Sequence, residues 1–219
     1  MSVKCEALGN RLLAVGDIHG CLDKLETLMG RVDPTENDLV IFLGDYIDRG
    51  LESPKVVEFL IGFAKTVPTV FLRGNHEDML LKYIEQGDDT YLLNGGRETL
   101  HQYKKSIWGG IPSHHLEFFE LTLPYYQTDE FIFVHAGLRP EIRLEDQLNE
   151  DLFWLRDDFL KSDYCWGKTI VYGHTPVKKP RFCDNRIALD TGAVFSVESG
   201  FGKLTCCEVQ SRNHWQVIY

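Results

Sequence analysis

Two stretches of the chain share one construction: Arg11-Leu12-Leu13-Ala14-Val15-Gly16-Asp17-Ile18-His19-Gly20 and Leu39-Val40-Ile41-Phe42-Leu43-Gly44-Asp45-Tyr46-Ile47-Asp48-Arg49-Gly50. In each, a short apolar run stops at a glycine and an aspartate follows at once. An apolar run of this length bounded by glycine reads as a buried strand. After the first, Leu22, Leu25, Leu28 and Met29 fall at helical spacing. After the second, Ser53-Pro54 offers an N-cap and an N1 proline ahead of Val56, Val57, Leu60 and Ala64. A third unit follows: Thr69 to Leu72 as strand, Arg73 to His76 as loop, and Met79, Leu80, Tyr83 and Ile84 as the inner face of a helix that Gly87 terminates. Three successive strand-helix units require parallel strands joined by right-handed crossovers, which bring their carboxyl ends to one edge of a sheet. Asp17, Asp45 and Asn75 are therefore expected to converge.

The second half is richer in strands. Phe131 to Val134 ends at His135, Thr169 to Tyr172 ends at Gly173-His174, and Arg186 to Leu189 leads into Asp190-Thr191-Gly192. Lys203 to Val209 and Trp215 to Tyr219 flank the polar stretch Gln210 to His214 and read as an antiparallel hairpin. These strands imply a second sheet. Between Asp88 and Pro124, Glu98 to Lys104 and His115 to Leu121 suit helices, while Gly109-Gly110 and Pro112 mark a surface excursion.

The 219 residues suffice for a large core, and no linker or low-complexity tail divides them, so one domain over 1–219 is expected. Met1 to Leu13 carries no basic segment followed by a long apolar one, and no stretch has the apolar length to span a bilayer, which predicts a cytoplasmic protein without a membrane partner. Six cysteines in such a chain read as reduced thiols. Cys206 and Cys207, neighbours on a strand, should point to opposite faces. A formal charge of −10 repels a phosphate backbone and argues against nucleic acid as the main partner. Oligomeric state is left open.

Six motifs remain: Gly16-Asp17-Ile18-His19-Gly20, Gly44-Asp45-Tyr46-Ile47-Asp48-Arg49-Gly50, Gly74-Asn75-His76-Glu77, His135-Ala136-Gly137, Tyr172-Gly173-His174-Thr175 and Leu189-Asp190-Thr191-Gly192-Ala193. Their Asp, His and Asn side chains are hard oxygen and imidazole donors of the kind that hold divalent cations. Together, from roughly Gly16 to Ala193, they resemble the phosphoprotein phosphatase family of binuclear metallophosphoesterases, above all its compact bacterial and bacteriophage lambda type. The resemblance implies an α/β fold of four layers, α/β/β/α, with two central mixed β-sheets flanked by helices. It implies that Asp17, His19 and Asp45 hold one metal, that Asp45, Asn75, His135 and His174 hold a second, and that Asp45 bridges them. The donor set, free of thiolate, points to two Mn²⁺, with Fe or Zn²⁺ as alternatives. A hydroxide bridging the metals would attack phosphorus. By the same resemblance Arg49, Arg156 and Asn75 bind phosphate, His76 is the general acid and Asp48 holds it. Arg156 rests on the looser match Phe153-Trp154-Leu155-Arg156-Asp157.

The expected activity is hydrolysis of phosphoserine and phosphothreonine in proteins or peptides, with phosphotyrosine as an extension. Its nearest alternative is a dinucleoside tetraphosphatase on the same metal core. Symmetrically cleaving tetraphosphatases usually lack an acid at the Asp48 position, so its presence favours the phosphatase, although some asymmetrically cleaving relatives keep it. A noncatalytic scaffold is the alternative from another class, and the full set of six ligands plus the Asp48 and His76 pair speaks against it. Plainer roles suit the rest. His101, His114, His115 and His214 match no motif; Glu77 suits a helix N-terminal carboxylate; Trp108, Trp154 and Trp166 suit core or groove lining. Asp190 fits an orienting role and turn chemistry equally. Asn94-Gly95-Gly96-Arg97 resembles a segment of bacterial relatives and equally a loop before a helix.

Overall fold

Strands β1 (Leu12–Val15), β2 (Leu39–Phe42) and β3 (Thr69–Phe71) lie side by side and parallel, as the three strand-helix units require. The structure, a computed structural model, describes residues 11–218. Helices α1 (Leu22–Val32), α2 (Ser53–Phe63) and α3 (Asn75–Gln86) make the crossovers, and Gly87 closes α3 in the left-handed conformation expected of it. Next come α4 (Arg97–Lys105) and α5 (Ser113–Glu120), in the segment read as an excursion. Strands β4 (Tyr125–Gln127) and β5 (Phe131–Val134) follow, then the short helices α6 (Asn149–Trp154) and α7 (Asp157–Leu160), then β6 (Thr169–Tyr172), β7 (Arg181–Phe182) and β8 (Arg186–Ala188). The closing hairpin is β9 (Lys203–Glu208) and β10 (His214–Ile218), while Tyr219 lies outside the described residues.

These strands form two five-stranded sheets, in the orders β10-β9-β1-β2-β3 and β4-β5-β6-β8-β7. Both are mixed: β9 joins β1 antiparallel, and β4 and β7 run antiparallel to their neighbours. The two-residue period of a strand sorts the core into layers. Leu13, Val15, Val40 and Phe42 face one way, against Leu25, Leu28, Val56, Leu60 and Leu80 of the helices. Leu12, Ala14, Leu39 and Ile41 face the other way and meet Phe131, Phe133, Val171 and Ile187 of the second sheet. The outer face of that sheet packs Ile132, Val134 and Ile170 against Leu152, Phe153 and Phe159 of α6 and α7. The result is the expected α/β/β/α order of layers. Each fully buried Leu, Val or Phe contributes about 1.5–3 kcal/mol, so the two-sided burial of β1 and β2 makes them its anchors.

Cys206 belongs to the outer core and Cys207 to the inter-sheet core, the alternation their adjacency implies. The described cysteines are free thiols; Cys5, with the rest of residues 1–10 that entered the reading of the first segment, lies outside the described residues. Among the described residues no helix is long and apolar enough to cross a membrane. Three local expectations change. Ile84 is exposed because α3 turns that position away from the sheet, and Ala64 follows the end of α2 and is exposed too. Ser53 is the first residue of α2, with Glu52 at the cap, because the Ser53 hydroxyl accepts the Asp48 N–H at 3.0 Å instead.

Candidate metal centre

The chain after β1 supplies Asp17 and His19, after β2 Asp45, Asp48 and Arg49, and after β3 Asn75 and His76. The second sheet delivers His135 after β5, His174 after β6 and Asp190 after β8. The carboxyl ends of both sheets meet here. His135 Nδ1 donates across the sandwich to the Leu43 carbonyl at 2.8 Å, and the His174 N–H reaches the Asp17 carboxylate at 3.1 Å. Close approach is possible because of glycine: a Cβ on Gly74 would lie 2.2 Å from Asp45 Oδ1, and one on Gly173 would lie 2.1 Å from Asp17 Oδ1.

The backbone around the site is strained. His19, Asp45, Asp48, Arg49 and His174 all take positive φ, between 46° and 70°, a region that costs a non-glycine residue on the order of 1–3 kcal/mol. Three of these residues have their N–H caught by a buried side chain. Glu77 takes the Asp45 N–H at 2.9 Å, and also those of Tyr46 at 2.8 Å and Gly74 at 3.0 Å. Ser53 and Thr99 take the Asp48 N–H at 3.0 and 3.1 Å. Asp17 takes that of His174. Glu77, expected only to favour a helix dipole, thus ties the loops after β2 and β3 together. Sequence reading missed Ser53 and Thr99 as supports of Asp48, since a buried hydroxyl carries no pattern of its own.

The donor arrangement fits a cation. Because a carbonyl can only accept, His135 Nδ1 carries the proton it donates to Leu43, and its neutral Nε2 is a lone pair. That lone pair faces Asn75 Oδ1 at 3.0 Å and Asp45 Oδ1 at 3.4 Å, an encounter of acceptors that a cation between them resolves. His19 repeats the pattern: its Nδ1 donates to the Ile47 carbonyl at 2.9 Å, and its Nε2 lies 3.5 Å from Asp45 Oδ2. Burial keeps these rings uncharged, driving His19 down to about 3, His174 down to about 2 and His135 in the same direction. Burial, then the charges of Asp190 and Asp45, push Asp17 well above the carboxylate range. Asp45 goes the other way: against its burial, the surrounding His135, His76 and His19 hold its carboxyl below the usual range, so the bridge position is anionic and suits bound positive charge. The buried donors converge as Asp45, His135 and His174 on one side and as Asp45, His19 and His76 on the other. Asp45 is common to both, the place of a bridge.

Asp48 and His76 are fully buried, with His76 Nδ1 donating to Asp48 Oδ2 at 2.7 Å. Burial alone would lower His76, but Asp45 and Asp48 outweigh it and raise its pKa above the ordinary histidine value. His76 Nε2 is buried without a partner, 4.0 Å from Asp45 Oδ2. This nitrogen stands beside the donor cluster with nothing else to satisfy it. Arg49 and Arg156 are exposed at the rim, one on each side: Arg49 Nη1 lies 2.8 Å from His19 Nε2, and Arg156 Nε donates to His174 Nε2 at 3.1 Å. Of the residues expected as ligands, Asp17 stands outside both groups of donor atoms, its carboxylate taking the His174 N–H, while His76, expected only as an acid, falls within one of them.

Asp190 does serve a turn, its Oδ1 accepting the Gly192 N–H at 2.8 Å, while burial pushes its carboxyl up to about 7 beside Asp17. Trp154 is half-exposed with its ring edge-on to His174, a groove lining, and Trp166 packs on Phe159 in the outer core. His115 is buried but satisfied, Nδ1 by the Tyr103 hydroxyl and Nε2 by Glu58, which also meets His114.

Residues 10–205 match the calcineurin-like phosphoesterase family. A relative from Bacillus cereus (strain AH187), the asymmetrical bis(5'-nucleosyl)-tetraphosphatase PrpE, is 30% identical over 227 residues, covering 87% of each chain. The protein of the same name from Oceanobacillus iheyensis is 29% identical over 209 residues, covering 83% of each. A solved structure given the provisional name diadenosine tetraphosphatase superposes with a TM-score of 0.74 over 99% of this chain and 96% of its own. At 20% identity it bears on the fold alone.

Proposed function

The chain belongs to the calcineurin-like phosphoesterase family, and we propose that it is a divalent-metal-dependent hydrolase that cleaves dinucleoside tetraphosphates asymmetrically, into a nucleoside triphosphate and a monophosphate. The names of its relatives favour this over the phosphoprotein phosphatase expected first. What carries the reading is that name among relatives covering most of the chain; the Asp48–His76 pair sets it apart from the symmetrical type, which usually lacks an acid there.

Asp17, His19 and Asp45 would hold one cation and Asp45, Asn75, His135 and His174 the other, with Mn²⁺ the ion their mixed oxygen and imidazole donors suit. When bound, two such ions supply an acidified water and charge neutralisation at phosphorus. The remaining work falls to the chain itself. Arg49 and Arg156 flank the site and offer planar donors to the outer phosphate oxygens. His76 Nε2 gives its proton to the departing oxygen, and Asp48 keeps the ring oriented and stabilises the imidazolium until transfer. Phosphoserine and phosphothreonine hydrolysis is the second reading, favoured by the same acid, because an alkoxide needs that proton more than a nucleotide does.

The test is a comparison of diadenosine tetraphosphate, phosphopeptides and nitrophenyl phosphate with added Mn²⁺. ATP and AMP as paired products, with kcat/KM at least about tenfold above that on phosphopeptide, is the expected result. ADP as sole product, or a preference for phosphopeptide, would overturn it.

A further inference from the structure

Neither oxygen of the Asp48 carboxylate is left free. Oδ2 accepts from His76 Nδ1, and Oδ1 accepts from the Tyr91 hydroxyl at 2.9 Å. Tyr91 is fully buried, sixteen positions ahead of the surface turn at Ile107 in sequence but turned inward. What seats it is the Asn94-Gly95-Gly96-Arg97 stretch. The helical turn over Leu92–Gly96 breaks at Asn94 and Gly95, and Gly95 takes a φ of 105°. A Cβ there would come within 3.4 Å of Asp48 Cβ and 3.5 Å of Arg49 N, so the turn lies against the acid's own loop. A Cβ on Gly96 would stand 2.4–2.6 Å from carbons of the Tyr91 ring. Just beyond, Thr99 accepts the Asp48 N–H. One segment thus grips Asp48 twice, by its carboxylate through Tyr91 and by its backbone through Thr99.

We propose that Tyr91, seated by Gly95 and Gly96, is a positioning residue for the general acid, fixing the rotation of the Asp48 carboxylate and through it the His76 ring. A carboxylate held at one oxygen swings about its terminal torsion, which is broad; held at both, it presents Oδ2 to Nδ1 in one plane. The N–H of His76 then points along one line into the site, and proton transfer is as sensitive to that line as to distance. The inference rests on the proposed function only in requiring that His76 deliver a proton to a leaving group.

The experiment uses the full chain with Mn²⁺ and the variant Tyr91→Phe, which removes the hydroxyl and keeps the ring. On phenyl phosphate, a poor leaving group, kcat falls about tenfold; on para-nitrophenyl phosphate, a good one, it falls less than about twofold, with KM and Mn²⁺ stoichiometry unchanged on both. In an Asp48→Asn background the same change has no further effect, because the carboxylate it positions is gone. Gly96→Ala, whose Cβ displaces the ring, reproduces the selective loss. Equal losses on both esters, or an additive loss with Asp48→Asn, would reduce Tyr91 to a packing residue and overturn the assignment. A wild-type protein inactive on these esters and on diadenosine tetraphosphate overturns the enzymatic reading and this one with it; an active wild type with an unchanged Tyr91→Phe variant overturns this one alone.

Discussion

Replacing Glu77 by glutamine should destabilise the metal-free protein by about 2–5 kcal/mol, far more than a surface change of one charge. The figure follows from three contacts. Oε2 accepts from the N–H groups of Asp45 and Gly74 and Oε1 from that of Tyr46, all inside the protein. Glutamine has a single acceptor oxygen. If it takes the place of Oε2, its NH₂ meets the Tyr46 N–H head-on, and a buried donor without an acceptor costs about 1–3 kcal/mol. Above the Glu77 pKa, which burial and then Asp45 raise to about 7, the two bonds that survive lose their ionic character, worth roughly 0.5–1 kcal/mol each, so the comparison is made at about pH 8 or higher. A carboxylate acting only on a helix dipole would instead lose about 0.3–1 kcal/mol. Urea denaturation in excess EDTA measures the difference without metal binding intruding. For a chain of this size it corresponds to a fall in Tm of about 4–20 °C. Calorimetric titration should also show weaker Mn²⁺ binding, since Asp45 loses the anchor of its strained backbone. A loss below about 1 kcal/mol with unchanged Mn²⁺ affinity would refute the reasoning and return Glu77 to the helix end.

Mn²⁺ at a hundredfold excess over its dissociation constants should stabilise the folded chain by about 2.7 kcal/mol per ion, raising Tm by about 10–20 °C for two sites; a scan in which EDTA and Mn²⁺ give the same Tm would count against the centre. Asp190 tests the buried charge through pH. Its folded pKa is raised to about 7 by burial, above the unfolded carboxylate value of 3.8, so its contribution is present below that value and is lost as pH rises through 7. The stability of the metal-free wild type relative to Asp190→Asn should therefore decline by up to about 1.4 kcal/mol per pH unit between pH 5 and 7. Denaturation curves at both pH values check this, and a difference independent of pH would mean that Asp190 is ionised throughout.

Much of the fold was legible because burial on both faces of a strand leaves a continuous apolar run, and β1 and β2 are such runs. The parallel order of β1 to β3 followed from the helices between them, and the opposite facing of Cys206 and Cys207 from strand period alone. The candidate ligands stood out for a related reason: donors of one chemical kind recur where apolar runs break at glycine. Ile84 misled because helical spacing marks a stripe wider than the surface the sheet can cover.

By itself, then, the sequence determined the parallel strand-helix units and the edge to which Asp17, Asp45 and Asn75 are brought, since each is written in local periodicity or local residue type, while the order of layers and the full donor set came with the family resemblance. Only the tertiary structure decided what holds those donors in place. Glu77 reaches back to Asp45, Thr99 to Asp48 across 51 residues, and Tyr91 to the same aspartate across 43. Each is a single polar side chain whose partner is distant in sequence. Its role exists only where folding removes water and leaves a strained N–H or a carboxylate oxygen with no other group to satisfy it.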